Sequence, residues 1–458
     1  MSSAGLATFI PAFLLLALAI FARAIGRSWL EPGPFFALAW SIFTLVPLIM
    51  APDYYVWAGG VWWILISSIC ICCGDWVVSA RKRHTVDLSD DVSLESRKTD
   101  MEAAAPAMAT MLLVATIVGF LASAYAIISS GFDISVFSSS DFATMTQQIS
   151  IDRYSGFASA PGIISQIMLV GVFSGPLLGG LVFAAGKLKR YKYLSLLSLA
   201  PALTLFAVQT TRFVFVIALI FWVSTYFAGR IYLRKLTSFH AKSIAMIVVI
   251  PLTMMILFGI GQSLRVGEMP SWSKITANLA TPATRSALYG HISVFSQWFQ
   301  EDWNDPQKPS LGVYTFAGPL SKLGIEQREQ GLYDYSYEVE PKGFSNIYTT
   351  FRGIIEDYTL PGSLFILFVA GLAASFSYHR LVAGNKLFLP ILVTFYAFTV
   401  DYLASIFTYN SCIAALVIMG IVVIYWEKEA AIEQAQPAHS SKFFLTRTRR
   451  THGKEYRG

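Results

Sequence analysis

Apolar residues come in blocks along this chain, each about as long as a bilayer is thick. Eleven such blocks can be traced, at about 5–25, 33–50, 55–79, 105–130, 162–186, 193–209, 212–229, 243–262, 360–378, 386–404 and 410–426. A helix needs about 20 apolar residues to cross the hydrocarbon core. Backbone amides cannot be left bare in lipid, so blocks of this length predict helices; a β-barrel would show shorter, alternating segments. The expected fold is all-α, a polytopic membrane protein of about eleven transmembrane helices. The pattern divides the chain into 1–262 (helices one to eight), a long polar loop at 263–359, 360–426 (helices nine to eleven) and a polar tail at 427–458.

Two loops are longer than a simple connection needs. The first, about 131–161, is serine-rich and ends in Asp152-Arg153-Tyr154; the second is 263–359. A connection longer than about 15 residues in a compact protein is usually functional or disordered. The second loop contains helical periodicity. From Thr284 to Phe299, Leu288, Ile292, Phe295 and Phe299 share one helical face, and from Ser345 to Tyr358, Ile347, Phe351, Ile354 and Tyr358 do the same. Ser345 is placed to cap the second helix, and Pro361-Gly362 to break the chain before the ninth span. Both read as amphipathic helices lying on the membrane surface over a cavity between the spans.

Composition agrees with the membrane reading: 55% of residues are hydrophobic, 14% charged, and the mean hydropathy is +0.56. A soluble chain carries about a quarter charged residues. Charge then fixes the expected orientation. If the loop led by Arg81, Lys82 and Arg83 is cytoplasmic, alternation places twenty-four of the 34 lysines and arginines inside and ten outside. The inner side then carries the positive charge, as the positive-inside rule requires. The N-terminus is expected outside and the C-terminus inside. The tail, with Arg447, Arg449 and Arg450, reads as a positive cytoplasmic anchor beside anionic lipid rather than a nucleic-acid arm. Ala22-Arg23-Ala24 loosely resembles a signal cleavage site, but no basic segment precedes it and ten more spans follow, so the first helix is read as retained. Cys70, Cys72, Cys73 and Cys412 lie inside apolar helices and read as small apolar residues, not metal ligands or a disulfide framework. Gly175-Pro176 and Pro201 are expected to break helices without a buried charge beside them, Asp75 and Asp401 lying near helix ends.

What chemistry the outer side could carry rests on a few residues. Arg212 sits in the tight turn Gln209-Thr210-Thr211-Arg212, Arg265 follows the eighth span, and Arg285 and Arg352 lie on the two loop helices. A guanidinium presents paired planar donors that fit phosphate oxygens. Each could instead snorkel or pair with a nearby acid, Arg352 with Glu356 one turn on being the obvious pair. Candidate general bases are His291, the one outer histidine, and the carboxylates Glu356 and Asp357. Tyr289, Tyr348, Trp298 and Trp303 could stack on sugar rings or serve as interface anchors. Glu301, Asp302 and Asp305 form an acidic turn that could hold a divalent ion but reads more simply as solvated. There is no Walker loop, dinucleotide fingerprint, nucleophile elbow or zinc-protease motif.

With these residues in view, the chain resembles the oligosaccharide repeat unit polymerases, the Wzy-type O-antigen polymerases of bacterial inner membranes. The likeness covers roughly 200–410. It rests on Thr210-Thr211-Arg212, on Tyr289-Gly290 with Phe295-Ser296, and on Asn346-Ile347-Tyr348-Thr349-Thr350-Phe351-Arg352 followed by Glu356-Asp357-Tyr358 and Pro361-Gly362. The last block is similar to the family's Asn-x-Tyr-Thr…Arg…Asp-Phe-Gly…Gly pattern, with Tyr358-Thr359 in place of Phe-Gly. The resemblance implies a GT-C-like helical membrane glycosyltransferase that uses no metal and no nucleotide cofactor. It would join glycan units carried on undecaprenyl pyrophosphate, with inversion at the anomeric carbon. Its partners would be the lipid-linked donor and acceptor, membrane lipids, a chain-length regulator and a flippase, and no nucleic acid. Arg212, Arg265, Arg285 and Arg352 would then grip the diphosphate, Tyr289, Asn346 and Tyr348 would bind substrate, and His291, Glu356 or Asp357 would take the acceptor's proton. An O-antigen ligase, which carries a His-Asn pair where this chain has Ser345-Asn346, and a lipid-linked glycan transporter remain alternatives.

Overall fold

The computed structural model describes residues 5–82, 90–131, 141–154, 163–186, 189–210, 212–234, 253, 255–302, 309–325, 333, 335–340, 343–402 and 405–435. They form an all-helical bundle with one small hairpin. In chain order the helices are α1 (Leu6–Gly26), α2 (Pro32–Met50), α3 (Ala58–Lys82), α4 (Asp90–Ser129), α5 (Asp141–Tyr154), α6 (Ile163–Ala185), α7 (Lys189–Leu197), α8 (Ala200–Gln209) and α9 (Arg212–Tyr232). Then come α10 (255–265), α11 (Trp272–Leu279), α12 (Pro282–Asp302), α13 (Ala317–Lys322), the antiparallel strands β1 (Tyr337–Glu340) and β2 (Gly343–Ser345), α14 (Thr350–Val382), α15 (Leu389–Val400) and α16 (Asn410–Ala435). Among the described residues nine helical stretches are long and apolar enough to cross a membrane, with α7 and α8 counted as one; α15 and its leading turn are apolar but shorter. The chain is a polytopic membrane protein.

Small residues set the packing. A β-carbon on Gly74 of α3 would collide with the backbone of Phe368 on α14, and one on Gly371 of α14 with Ile71 of α3. The two helices therefore approach backbone to backbone, the contact that small residues permit between helices in lipid. On α6, a β-carbon at Gly180 would strike the Trp222 carbonyl of α9. α6 runs through the middle, touching α4, α9 and α16.

Several expectations are corrected. Gly175-Pro176 does not break α6, which runs unbroken from Ile163 to Ala185. A break does precede Pro201, where α7 ends and α8 begins. α4 starts at Asp90, well before the expected 105: its first turns are polar, and Arg97 within them is buried and donates to the Val382 carbonyl. Asp75 lies in the last turns of α3 and Asp401 just after α15, near helix ends as expected, and both are buried; Lys386, in the turn before α15, is buried against Asp100 at 2.8 Å. Of the eighth span only 253 and 255–262 are described; Arg83, Thr211, Trp303, Asp305 and the tail beyond 435 lie outside the described residues.

The bundle has two distinct ends. At one, basic residues gather and interlock: Arg97 donates to the carbonyls of Val382 (2.7 Å) and Tyr232 (3.4 Å), while Lys386 joins Asp100 and Glu427. At the other, α11 to α14 with the hairpin build a cap.

Candidate functional site

The cap is organised by the start of α14. Helix geometry fails at Thr359, whose φ of 61° and ψ of 175° lie where a β-branched residue is strained. Two residues on, Pro361 has no N–H to give the Asp357 carbonyl. That carbonyl is taken by Leu311 N at 3.1 Å, and the Glu356 carbonyl by Ser310 N at 3.2 Å. The kink thus frees two acceptors that dock the 309–316 segment. Asp357 completes the docking. Its Oδ1 accepts from Ser310 Oγ (2.6 Å) and Tyr314 N (2.9 Å), and its Oδ2 from Thr315 N (2.6 Å). Fully buried and committed to three donors, Asp357 is a positioning residue rather than an open base.

One turn earlier, Arg352 Nε meets Glu356 Oε1 at 2.9 Å, the i,i+4 pair that spacing suggested. The guanidinium lies 3.9 Å from the ring centre of Tyr333, 4.0 Å from Tyr348 and 5.1 Å from Trp298. Arg352 and Glu356 side chains keep 12% and 10% exposure, so the pair lies just under the surface rather than sealed. Tyr348 is itself buried, its hydroxyl donating to Tyr335 O at 2.8 Å, and burial pushes its phenol up to about 12. Trp298 is buried as well, which removes both rings as open sugar platforms. Asn346 Nδ2 reaches Tyr333 O at 3.5 Å, at the margin of this aromatic box.

The predicted first loop helix corresponds to α12, but it does not lie on a surface. Both faces are covered: Ser293 Oγ donates to Tyr55 O (2.6 Å), Ser296 Oγ accepts from Trp57 N (3.1 Å), and Gln297 reaches Glu338 O (3.4 Å). Its polar stripe is stitched to the backbone of the α2–α3 loop and the hairpin. His291 follows the same logic. Its Nε2 lies 3.0 Å from Phe43 O, which requires the proton there, and its ring packs 4.4 Å from Tyr402. Desolvation lowers its pKa to about 4. His291 is a neutral, buried residue of the cap core. Tyr289, one turn from Arg285, is partly buried against the same core.

The second predicted loop helix merges into the ninth span. Ser345 ends β2 rather than capping a helix; Thr349 is the N-cap residue of α14.

The four expected arginines divide. Arg285 donates to Asp53 Oδ1 and Glu340 Oε2, both at 2.6 Å, and lies over Tyr54. It clamps α12 to the α2–α3 loop and to β1. Arg352 is held by Glu356. Arg212 donates to Gln262 Oε1 at 2.7 Å and lies 4.7 Å over Phe258, and Arg265 reaches Thr210 O at 3.4 Å. These last two sit together where α8 turns into α9 beside the end of α10. A single clamp of four guanidiniums is therefore not the arrangement among the described contacts: two are closed by carboxylates of the chain itself. In the acidic turn, Glu301 accepts from the Tyr337 hydroxyl at 2.9 Å.

Residues that matter here and that spacing could not reveal are Asp53, Tyr54, Ser310, Tyr333 and Glu340. Each meets its partner across a long stretch of chain, as Arg285 does with Asp53. In comparisons with family models, with curated proteins and with solved structures, nothing matches this chain.

Proposed function

We propose that this protein is a bacterial inner-membrane glycosyltransferase that polymerises undecaprenyl-pyrophosphate-linked oligosaccharide units on the periplasmic face. The capped end is periplasmic in this reading, with the N-terminus outside and the C-terminus in the cytoplasm. The carrying observation is the Arg352–Glu356 pair, about one-tenth exposed and walled by Tyr333, Tyr348 and Trp298, within the block that bears the family resemblance. A second support is Thr359. The family pattern has glycine there, and the backbone at this position has the positive φ that glycine adopts without strain.

Within this reading the candidate residues divide between chemistry and scaffold. Arg212 and Arg265 serve the diphosphate of the carrier, where two guanidiniums would offset charge as it develops on the leaving group. Glu356 takes the proton from the acceptor hydroxyl as that oxygen bonds to the anomeric carbon and the carbon–oxygen bond to the diphosphate breaks. Arg352 holds Glu356 until substrate phosphate competes for the guanidinium. Arg285, His291 and Asp357 build the cap. The test is polymer formation from a defined lipid-linked repeat unit by purified protein. Arg352→Ala, Glu356→Gln and Arg212→Ala are expected to yield single units only, while still inserting in membranes. A normal ladder of polymer from both Arg352→Ala and Glu356→Gln removes the assignment.

A further inference from the structure

At the basic end, opposite the cap, a cavity of about 390 Å³ opens between α4, α6, α7 and α9. Among the described residues Lys98, Lys192 and Arg230 line it with one acid, Glu102; Lys98 also pairs with Glu95 at 3.4 Å, an acid that does not line the cavity. Its apolar wall is made by Phe183 and Tyr226. That wall is rigid. Phe183, Trp222 and Tyr226 form a cluster with ring centres 5.0 to 5.8 Å apart, the last two stacked at 14°. Trp222 is fixed in turn by donating to Ser195 Oγ at 3.1 Å, and Ser195 donates to Gly179 O at 2.6 Å.

We propose that this cavity is a binding site for the headgroup of an anionic phospholipid in the leaflet at the basic end. Three cations from three helices converge on one opening, the chemistry that recognises a phosphate monoanion or diester. The choice of a lipid over a soluble phosphate comes from α7. α7 belongs to a stretch long and apolar enough to cross the membrane, and beside Lys192 it exposes Tyr193, Leu196 and Leu197, so the cations border a lipid-facing surface along which acyl chains can lie. The headgroup would sit among the cations while its chains lie along that surface. The ligand would brace α4, α6 and α9 against one another where α7 leaves the bundle. The site is independent of the chemistry assigned to the cap.

The experiment uses full-length protein in mild detergent, titrated with phosphatidylglycerol, with phosphatidylcholine and with inorganic phosphate, following thermal unfolding. Phosphatidylglycerol is expected to raise the midpoint, and the other two to leave it unchanged. The triple variant Lys98→Gln, Lys192→Gln, Arg230→Gln is expected to lose at least two-thirds of that rise. Arg81→Gln, a basic residue of α3 that does not line the cavity, is expected to keep it. An equal shift with inorganic phosphate would make this a soluble-anion site and overturn the lipid assignment. A full phosphatidylglycerol shift in the triple variant, or no shift in the unaltered protein, would overturn the site itself. Should the triple variant not fold, each single variant is read the same way against Arg81→Gln.

Discussion

Asp357→Asn separates two roles that the same carboxylate could hold. In the structure its two oxygens take three donors, Ser310 Oγ, Tyr314 N and Thr315 N, at 2.6 to 2.9 Å. Asparagine can keep its oxygen on the first two. Its amide nitrogen then faces Thr315 N, donor against donor. A buried amide left without an acceptor costs about 1–3 kcal/mol, and loss of the charge weakens the remaining bonds by about another 1 kcal/mol. The 309–316 segment should thus lose roughly 2–4 kcal/mol of docking energy, a thirty- to thousandfold increase in opening. Hydrogen exchange read by mass spectrometry on peptides covering Tyr314 and Thr315 measures this directly, with α16 peptides as the internal reference. Activity should fall in step with the loss of protection. If the Asp357→Asn protein kept full protection of this segment and yet made no polymer, the carboxylate would be acting on substrate, and the positioning role would be wrong.

Three further outcomes follow from the packing. His291 holds its pKa near 4 against an ordinary value of 6.5, so the unfolded chain takes up a proton between those values that the folded one refuses. Stability is whole above about pH 6.5 and declines as pH falls toward 4, by roughly 3 kcal/mol in all; His291→Gln, which keeps a donor for Phe43 O, should flatten that decline in thermal melts, and an unchanged slope would exclude the histidine as its source. Asp100→Asn leaves Lys386, whose side chain is 4% exposed, with the half-exposed Glu427 as its one remaining carboxylate among the described residues. A loss of about 3–5 kcal/mol is expected, with much of it restored by adding Lys386→Met; a double variant no better than the single would show that the pair is not coupled. Thr359→Gly should relieve backbone strain and stabilise by roughly 1 kcal/mol after glycine's own entropy cost, and a lower melting point would mean that the positive φ is not strained.

What could be read from the chain follows the range of each interaction. Span ends were legible where an apolar block and a helix coincide, as in 5–25 against Leu6–Gly26, because lipid length and burial act on the same residues. They were not legible for α4, whose first turns are polar and include Arg97, bonded to the Val382 carbonyl far along the chain. The Arg352–Glu356 pair was readable because one helical turn joins its members. Arg285 was not, since its acids arrive from the α2–α3 loop and from β1. α12 misled in an instructive way. Its apolar stripe implied a surface helix, yet between Arg285 and Glu301 its other face carries small hydroxyls and an amide, Ser293, Ser296 and Gln297, rather than charged side chains. Such groups can be satisfied by neighbouring backbone, and all three are.

That distinction bears on the site itself. Counting arginines on one side of the membrane identifies where an anion could bind, but a guanidinium is useful to a substrate only if its present partner can be displaced. Arg285 bridges two carboxylates and joins three segments of the cap, so exchanging it would loosen the scaffold. Arg352 is bonded to an acid on its own helix, and three aromatic faces hold the guanidinium plane whether or not Glu356 is bonded to it. In the proposed reaction it would give up that acid to a phosphate oxygen while staying in place, and the exchange would remove the Arg352 bond from Glu356. An enzyme whose base is released only by its anionic substrate would keep water from being activated in an empty site. The charge-keeping variant Arg352→Lys should fail here, because an ammonium has no plane to be held between the rings while its partner changes. Full polymerisation by Arg352→Lys protein would mean that charge alone suffices and that the aromatic box has no part in the reaction.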